Sequence, residues 1–402
     1  MSIALLALAG AIATGATASS SADPGVTAKT ILLGGTAPLS GPDSAFASIA
    51  RGADAYFKYV NARSGVNGRT IAYKVVDDGS DPVETVQATR QLVEQDKVFA
   101  IFNSFGTEHN VATRAYLNQL KVPQLFVASG ATTFGRDHKR YPTTIGFQPS
   151  YEAEGWIYGT YLARTKQDAR IGVLFQNDDY GRELLAGLRR GILRSKVKVV
   201  AAEGYEVADP DVQSQIEKLK AAGANTLALF AMPTFAIQAY AAAERLGWRP
   251  LIIVNEVSSA ASIMTGAAAR NTIKTVEGSI SITYLKDPTD AKWRTDAAMK
   301  LYRSVLARYA RGANAKDVHH VHGMAVAFEA VRALKAAGTN PTRTAVLAQA
   351  RKLNDPSNPF LLPGISVRTS ETERFPIEQA ALQRWSQGSW KSFGGLWSYR
   401  AG

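Results

Sequence analysis

The chain has 402 residues, 46% of them hydrophobic and 20% charged, with no cysteine and a formal charge of +12. At ~150 residues per domain this is ordinary globular usage for two or three domains, which argues against long disorder, a collagen-like repeat or a multi-span membrane protein. Without cysteine there is no disulfide scaffold, thiolate zinc or iron–sulfur site, cysteine nucleophile or lipid-anchored N-terminal cysteine. The excess basic residues are interleaved with acids, and their densest group, Arg136-Asp137-His138-Lys139-Arg140, is short. No zinc-finger spacing or RNP-like aromatic motif accompanies them, so they read as a solvated surface with no nucleic-acid partner.

The run 3–18 is apolar or small, no charged side chain precedes Asp23, and Ala16-Thr17-Ala18 is an A-x-A pattern. It is too short to span a bilayer comfortably and reads as a secretory signal peptide over 1–22, although no Lys or Arg precedes the apolar run. From residue 29 onward, short apolar runs alternate with helical patterns. The runs fall at 31–33, 71–76, 98–102 and 125–127, then at 171–175, 197–201, 227–230 and 251–254. Continuous apolar runs bounded by turn residues are the mark of parallel strands buried on both faces. Helical spacing predicts helices at 46–62, 83–95, 111–120, 152–163, 182–193, 212–222 and 235–246. Repeated strand-then-helix units predict an α/β fold with parallel sheets, in two arrays. The stretch 141–149 between them has two prolines and little periodicity, and is expected to be a crossover without an element of its own. After about residue 282 the pattern is mainly helical, at 291–310, 322–337 and 342–352, followed by a turn-rich stretch at 354–359 and a strand-like piece at 381–385.

Ligands of open parallel sheets bind at the carboxyl ends of strands, so the loops there carry the functional signal. The glycine-rich loop expected at 34–42 lacks both G-x-G-x-x-G and G-x-x-x-x-G-K-[ST], which removes the main support for a nucleotide site. Asn103-Ser104-Phe105-Gly106-Thr107-Glu108 enters a helix, where free N–H groups and the helix dipole suit a carboxylate. An ordinary N-cap by Ser104 or Thr107 is equally compatible. Ala128-Ser129-Gly130-Ala131-Thr132-Thr133 is a second small, hydroxyl-rich loop. His319, His320 and His322 cluster without a carboxylate at metal-motif spacing, and are expected at a helix start or facing solvent. Asp77-Asp78-Gly79-Ser80-Asp81 lacks the order of a calcium loop, and Asp81-Pro82 reads as an N-cap with proline in the first turn. No G-x-S-x-G elbow occurs and nothing marks a nucleophile, so no catalytic residue, metal or cofactor is expected.

Several segments carry a family resemblance together: Gly35-Thr36-Ala37-Pro38-Leu39-Ser40-Gly41-Pro42, Gly65-Val66-Asn67-Gly68-Arg69, Asp77-Asp78 with Asp81-Pro82, and Val122-Pro123 with Ser129-Gly130-Ala131. Asp179-Tyr180-Gly181 and Phe360-Leu361-Leu362-Pro363-Gly364-Ile365 complete the set. In order and spacing the chain resembles the leucine/isoleucine/valine-binding protein family, the type I periplasmic solute-binding proteins of ABC importers. The resemblance implies two Rossmann-like parallel-sheet lobes joined by a three-strand hinge. Residues 28–147 and 280–358 would form the N-terminal lobe, and 148–279 and 363–402 the C-terminal lobe. It also implies site roles. Ser104, with its neighbour Phe105, falls on the position that holds a ligand carboxylate. Gly130 and Thr132 fall on a carbonyl and a hydroxyl position for the ammonium and carboxylate. Tyr180 is the covering aromatic of the second lobe, Glu256 the ammonium partner and Phe46 a lining aromatic. Met232-Pro233-Thr234-Phe235 stands where amino-acid binders carry a tyrosine. The implied function is a monomeric, non-enzymatic periplasmic binder that delivers a small carboxylate-bearing solute to an ABC permease in the inner membrane. A branched-chain or other aliphatic amino acid is the expected solute, with an amide or aromatic acid as the alternative. An enzyme or a ligand-sensing regulator of the same sheet class is the more distant rival.

Overall fold

The structure, a computed structural model, describes residues 23–269 and 273–399; the expected signal segment at 1–22 lies outside the described residues. The first sheet is built from β1 (Thr30–Ala37), β2 (Thr70–Asp77), β3 (Ala100–Phe102), β4 (Gln124–Val127) and β5 (Thr144–Gly146). Its order is β2-β1-β3-β4-β5 and every pairing is parallel. β1 continues through Gly34 and Gly35, where a loop was expected, because its register with β2 holds from Thr30↔Thr70 to Ala37↔Asp77. β5 lies inside the stretch expected to hold no element. With three residues it is too short to show a period, and pairing with β4 makes it a strand.

The second sheet contains β6 (Arg170–Gln176), β7 (Lys198–Tyr205), β8 (Thr226–Phe230), β9 (Leu251–Val254) and β10 (Ile280–Thr283). After a small pairing of β11 (Asn354–Asp355) with β12 (Val367–Arg368), the chain adds β13 (Gln379–Ser386) and β14 (Ser389–Ser398) to this sheet. The order is β14-β13-β10-β9-β8-β6-β7, with β13 and β14 antiparallel and the rest parallel. Residues 280–283, expected at the start of the return to the first lobe, therefore belong to the second sheet. Ile280 pairs with Ile253 on one side and Arg384 on the other. The hairpin between β13 and β14 turns at Gln387 and Gly388, both with positive φ, as a two-residue primed turn requires.

Three segments cross between the sheets. One leads from Phe147 into the helix Tyr151–Thr165, which Ser150 caps by accepting from the Ala153 N–H at 3.2 Å. The other two follow Thr283 and precede Pro363, and they pair with each other. Leu362 N–H donates to the Tyr284 carbonyl at 2.9 Å, and Lys286 N–H to the Phe360 carbonyl at 3.0 Å.

Several helices begin where a polar cap dictates. Asp81 accepts from Val83 N–H at 2.8 Å ahead of Pro82, as expected. Asp178 and Asp317 cap the helices Asp179–Gly191 and Val318–Ala336, which start earlier than their apolar spacing suggests. The helix Ala47–Asn61 crosses Val318–Ala336 at backbone contact. A Cβ on Gly323 would lie 2.0 Å from the Ile49 carbonyl oxygen, and one on Gly52 would lie 2.3 Å from that of His320. That crossing draws the start of the long helix in beside the loop after β1. Among the described residues no helix is long and apolar enough to cross a membrane.

Candidate functional site

The carboxyl ends of both parallel arrays face one cleft, as the sheet rule predicts. A cavity of about 510 Å³ lies there, within the ~300–1,000 Å³ usual for small-molecule sites. The first lobe supplies Asp43, Phe46 and Ile49 after β1 and the stretch Phe105–His109 after β3, and Tyr151 lines it from the end of the first crossover, where the helix Tyr151–Thr165 begins. The second supplies Gln176, Asp178 and Tyr180 after β6, Met232 and Phe235 after β8, and Glu256 after β9. Leu285 on the crossover and Val318, His319 and His322 at the start of the long helix close the inner side.

Aromatic rings make most of the apolar wall. Phe46 stacks on Phe105 with centroids 4.5 Å apart and meets the His319 ring at 4.8 Å. Tyr151 and Tyr180 pack edge to face at 4.9 Å. The Tyr180 hydroxyl is occupied by Asn255, whose amide, oriented by its neighbours, accepts from it at 2.7 Å. Tyr205 braces the second-lobe loops: its hydroxyl donates to Gln176 Oε1 at 2.9 Å and accepts from Met232 N–H at 2.9 Å, while its ring lies 4.2 Å from Phe235.

The charged lining is one-sided. Asp43, Glu108, Asp178, Asp209 and Glu256 line the cavity together with three histidines, and among the described residues no Lys or Arg does. In a chain of net charge +12, a wall without a basic side chain is a property of the site rather than of composition. Glu256 is half-buried. Its backbone N–H donates to Glu154 Oε1 at 2.6 Å, and that carboxyl also accepts from the Tyr158 hydroxyl at 2.7 Å. Burial, with Glu154 beside it, pushes the Glu256 carboxyl up to about 8. Burial pushes Glu154 up to about 7 against those two hydrogen bonds. Across the cleft, Glu108 is also raised, by burial and by Asp179 and Asp178.

Glu108 lies in the first turn of the helix Thr107–Gln119, whose start faces the cavity across from Glu256. Gly106 is its N-cap, at φ 97°, and no side chain caps it. The expectation of a cap by Ser104 or Thr107 is therefore corrected. Ser104 Oγ accepts from Thr36 N–H at 3.0 Å, and Thr107 Oγ1 pairs with Ser129 Oγ at 2.7 Å. The first N–H groups of a helix have no partner within it, so this end offers donors and the positive end of a dipole.

Of the residues named from the sequence, the structure places Phe46, Phe105, Tyr180 and Glu256 on the cavity wall. Ser104, Gly130 and Thr132 are not among the lining residues. Ser104 is 3% exposed with its hydroxyl committed to Thr36. The Gly130 carbonyl accepts from Tyr151 N–H at 2.8 Å. The Thr132 N–H donates to Glu183 at 2.8 Å, and its hydroxyl donates to the same carboxylate. His319 and His322 lie at a helix start, as expected, and they face the cavity rather than solvent. Asp317, two residues ahead of His319, was the available signal: an N-cap there puts the two histidines on one helix face, three residues apart. Among the described residues no group of His, Asp and Glu is placed to hold a metal ion.

A family model described as periplasmic binding protein matches residues 30–389. The Leu/Ile/Val-binding protein homolog 1 of Brucella abortus is 29% identical over 200 residues, covering 49% of this chain and 53% of that protein. The leucine-, isoleucine-, valine-, threonine-, and alanine-binding protein of Pseudomonas aeruginosa is 28% identical over 197 residues, covering 49% and 52%. These matches span about half the length of the curated relatives. Among solved structures, a branched chain amino acid ABC transporter protein from Thermus thermophilus with bound valine superposes with a TM-score of 0.80 at 18% identity, covering 92% of this chain and 97% of that one. A fatty acid ABC transporter substrate-binding protein from Thermomonospora curvata gives 0.81 at 21%, covering 94% and 95%. At those identities the likeness is one of fold: two parallel-sheet lobes of the type I periplasmic binding arrangement.

Proposed function

The chain belongs to the periplasmic binding protein family, a family of solute-binding proteins, and from that premise we propose that it is the exported binding subunit of an ABC importer whose two lobes close on an α-amino acid. One observation carries the choice of ligand: Glu256 sits half-buried in a cavity where, among the described residues, no Lys or Arg lines the wall. Without a cation this buried carboxyl keeps its proton, since an unpaired buried charge is expensive, and a cation in the cleft lets it ionise and pair. An α-ammonium supplies it, and the uncapped start of the helix Thr107–Gln119 takes the α-carboxylate. Phe46, Phe105, Tyr180 and Met232 enclose the side chain. The names of the Brucella and Pseudomonas relatives and the valine bound in the Thermus protein support the same class. A fatty acid, the solute named for the Thermomonospora protein, has no cation for Glu256 and meets no basic side chain here. Export through the 1–22 segment, a permease partner in the inner membrane and a monomeric state complete the reading.

Calorimetry with matched pairs tests it: leucine against 4-methylpentanoate, phenylalanine against 3-phenylpropanoate, glutamine against 4-carbamoylbutanoate, with a long-chain fatty acid alongside. Each amino acid that binds is expected to exceed its des-amino partner by at least roughly tenfold, ~1.4 kcal/mol. Equal binding within the pairs, or preference for the fatty acid, contradicts the amino-acid reading.

A further inference from the structure

We propose that His322, oriented by Tyr284, is a specificity-determining residue of this cleft, one that donates a hydrogen bond to a side-chain oxygen of the ligand and so selects amino acids with an amide, hydroxyl or carbonyl group over plain aliphatic ones. The inference rests on the amino-acid reading and deepens it.

Three observations carry it. First, His322 is 4% exposed and lines the cavity, yet its Nε2 has no hydrogen-bond partner among the described residues. A buried polar nitrogen with no partner is uncommon in a folded protein and marks either strain or a ligand position. Second, the other ring nitrogen is fixed: Nδ1 lies 2.8 Å from the Tyr284 hydroxyl. Tyr284 is buried, and among the described residues this nitrogen is the hydroxyl's hydrogen-bond partner. The O–H therefore needs Nδ1 as its acceptor, which leaves the imidazole proton on Nε2 as a donor. Third, the ring is held rigidly. Phe147 packs on it edge to face at 5.6 Å, and the close crossing at Gly323 fixes the helix that carries it. Burial drives the imidazole down to about 3, with His319 adding to the effect, so it stays neutral and remains a single directed donor.

Such a donor acts mainly by rejection. A ligand with an oxygen at that point satisfies Nε2–H, whereas an aliphatic side chain of the same shape buries it unpaired. Discrimination of this kind is large because the penalty falls on the wrong ligand. The ammonium at Glu256 and the carboxylate at the helix start are common to every amino acid, so His322 reads the part that differs. Tyr284 would act as a positioning residue, through the imidazole rather than by touching ligand.

The test uses two near-isosteric pairs, asparagine with leucine and glutamine with methionine, titrated calorimetrically into wild type, His322→Phe and Tyr284→Phe. Phenylalanine keeps a ring against Phe147 and removes both nitrogens. Wild type is expected to favour the polar member of at least one pair by tenfold or more. His322→Phe should bring that ratio close to one by weakening the polar member and sparing the apolar one. Tyr284→Phe, which frees the imidazole to choose its tautomer, should lower the same ratio by a smaller factor. Wild-type preference for leucine and methionine overturns the proposal, as does equal weakening of both members in His322→Phe, which would place the imidazole on a group common to all amino acids. Should His322→Phe fail to fold, the wild-type ratio and Tyr284→Phe still decide. Binding of no amino acid at all sinks the amino-acid reading itself, an outcome distinct from binding with the wrong preference.

Discussion

Burial favours the protonated form of both Glu256 and Glu154, with Glu154 adding to the effect on Glu256, and this has a thermodynamic consequence. Unfolded carboxyls titrate near ~4.3, whereas the folded values are raised to about 8 and about 7. Between those limits the native state holds more protons than the unfolded state, so their contribution to stability is full below the unfolded value and is lost as pH rises through 7 and 8. His322 works in the opposite sense, because its folded value is depressed to about 3; its contribution is lost as pH falls below ~6.5, outside that window. Glu329 and Glu183, also raised by burial to about 8 and about 7, act in the same sense, so thermal unfolding of the ligand-free protein between pH 7 and 8.5 at fixed ionic strength is expected to show a falling midpoint that Glu256→Gln makes shallower. Parallel profiles for the two proteins would mean that Glu256 is not the strained acid described. At this level the sequence was informative about type and weak on placement. Phe46, Phe105, Tyr180 and Glu256 reach the cavity, because each follows a strand whose apolar run is unmistakable. Ser104, Gly130 and Thr132 do not, because a small polar residue in a loop can turn to its own backbone or to a neighbouring element, and one-residue differences of register decide which. Thr36, Tyr151 and Glu183, distant in sequence, take those groups.

The helices Thr107–Gln119 and Asp179–Gly191 belong to different lobes, yet Asp179 lies close enough to Glu108 to act on the protonation of its carboxyl. Beside them, Glu183 receives the N–H and hydroxyl of Thr132 from the loop after β4. Glu183 does not line the cavity, so it can influence ligand binding only through the approach of the two lobes. Hydrogen bonds to charged groups contribute ~1.5–3 kcal/mol each, discounted here for partial exposure and because burial pushes the Glu183 carboxyl up to about 7. Glu183→Ala is accordingly expected to weaken amino-acid affinity by roughly tenfold, ~1.4 kcal/mol, with the preference among amino acids unchanged. Unaltered affinity in calorimetry would show that the Thr132 contact persists whether the lobes are apart or together. The longer helices were legible from apolar spacing, the short ones at Thr133–Arg136, Ala261–Ala267 and Ile273–Val276 were not, and helix starts were legible only where the cap was recognised. Asp81-Pro82 gave one start correctly, while overlooking Asp317 left His319 outside the long helix and its pairing with His322 unseen. The close crossing at Gly52 and Gly323 has no local signal, since the two glycines lie on helices separated by most of the chain.

Strand-then-helix alternation, broken once near residue 145, is enough to read two parallel-sheet lobes from the sequence. What it conceals is where short strands go: β5 has too few residues to show a period, and β10 joins the second sheet only through partners on β9 and β13. The acidity of the cleft was equally hidden, because Asp43, Glu108, Asp178, Asp209 and Glu256 are scattered along the chain and converge only when the carboxyl ends of the two sheets face each other. That convergence is also the reason closure should depend on the ligand's charge. With no cation between them, acids from both lobes are desolvated together and must either repel or hold protons; an ammonium at Glu256 and a carboxylate at the helix start Thr107–Gln119 bind the lobes to each other through one molecule. Small-angle scattering with the amino acid that binds most tightly, and with its des-amino partner at the same concentration, tests this directly. The radius of gyration is expected to fall with the amino acid and to stay at its ligand-free value with the des-amino acid. An equal contraction with both, or none with a saturating amino acid, would contradict closure around a zwitterion.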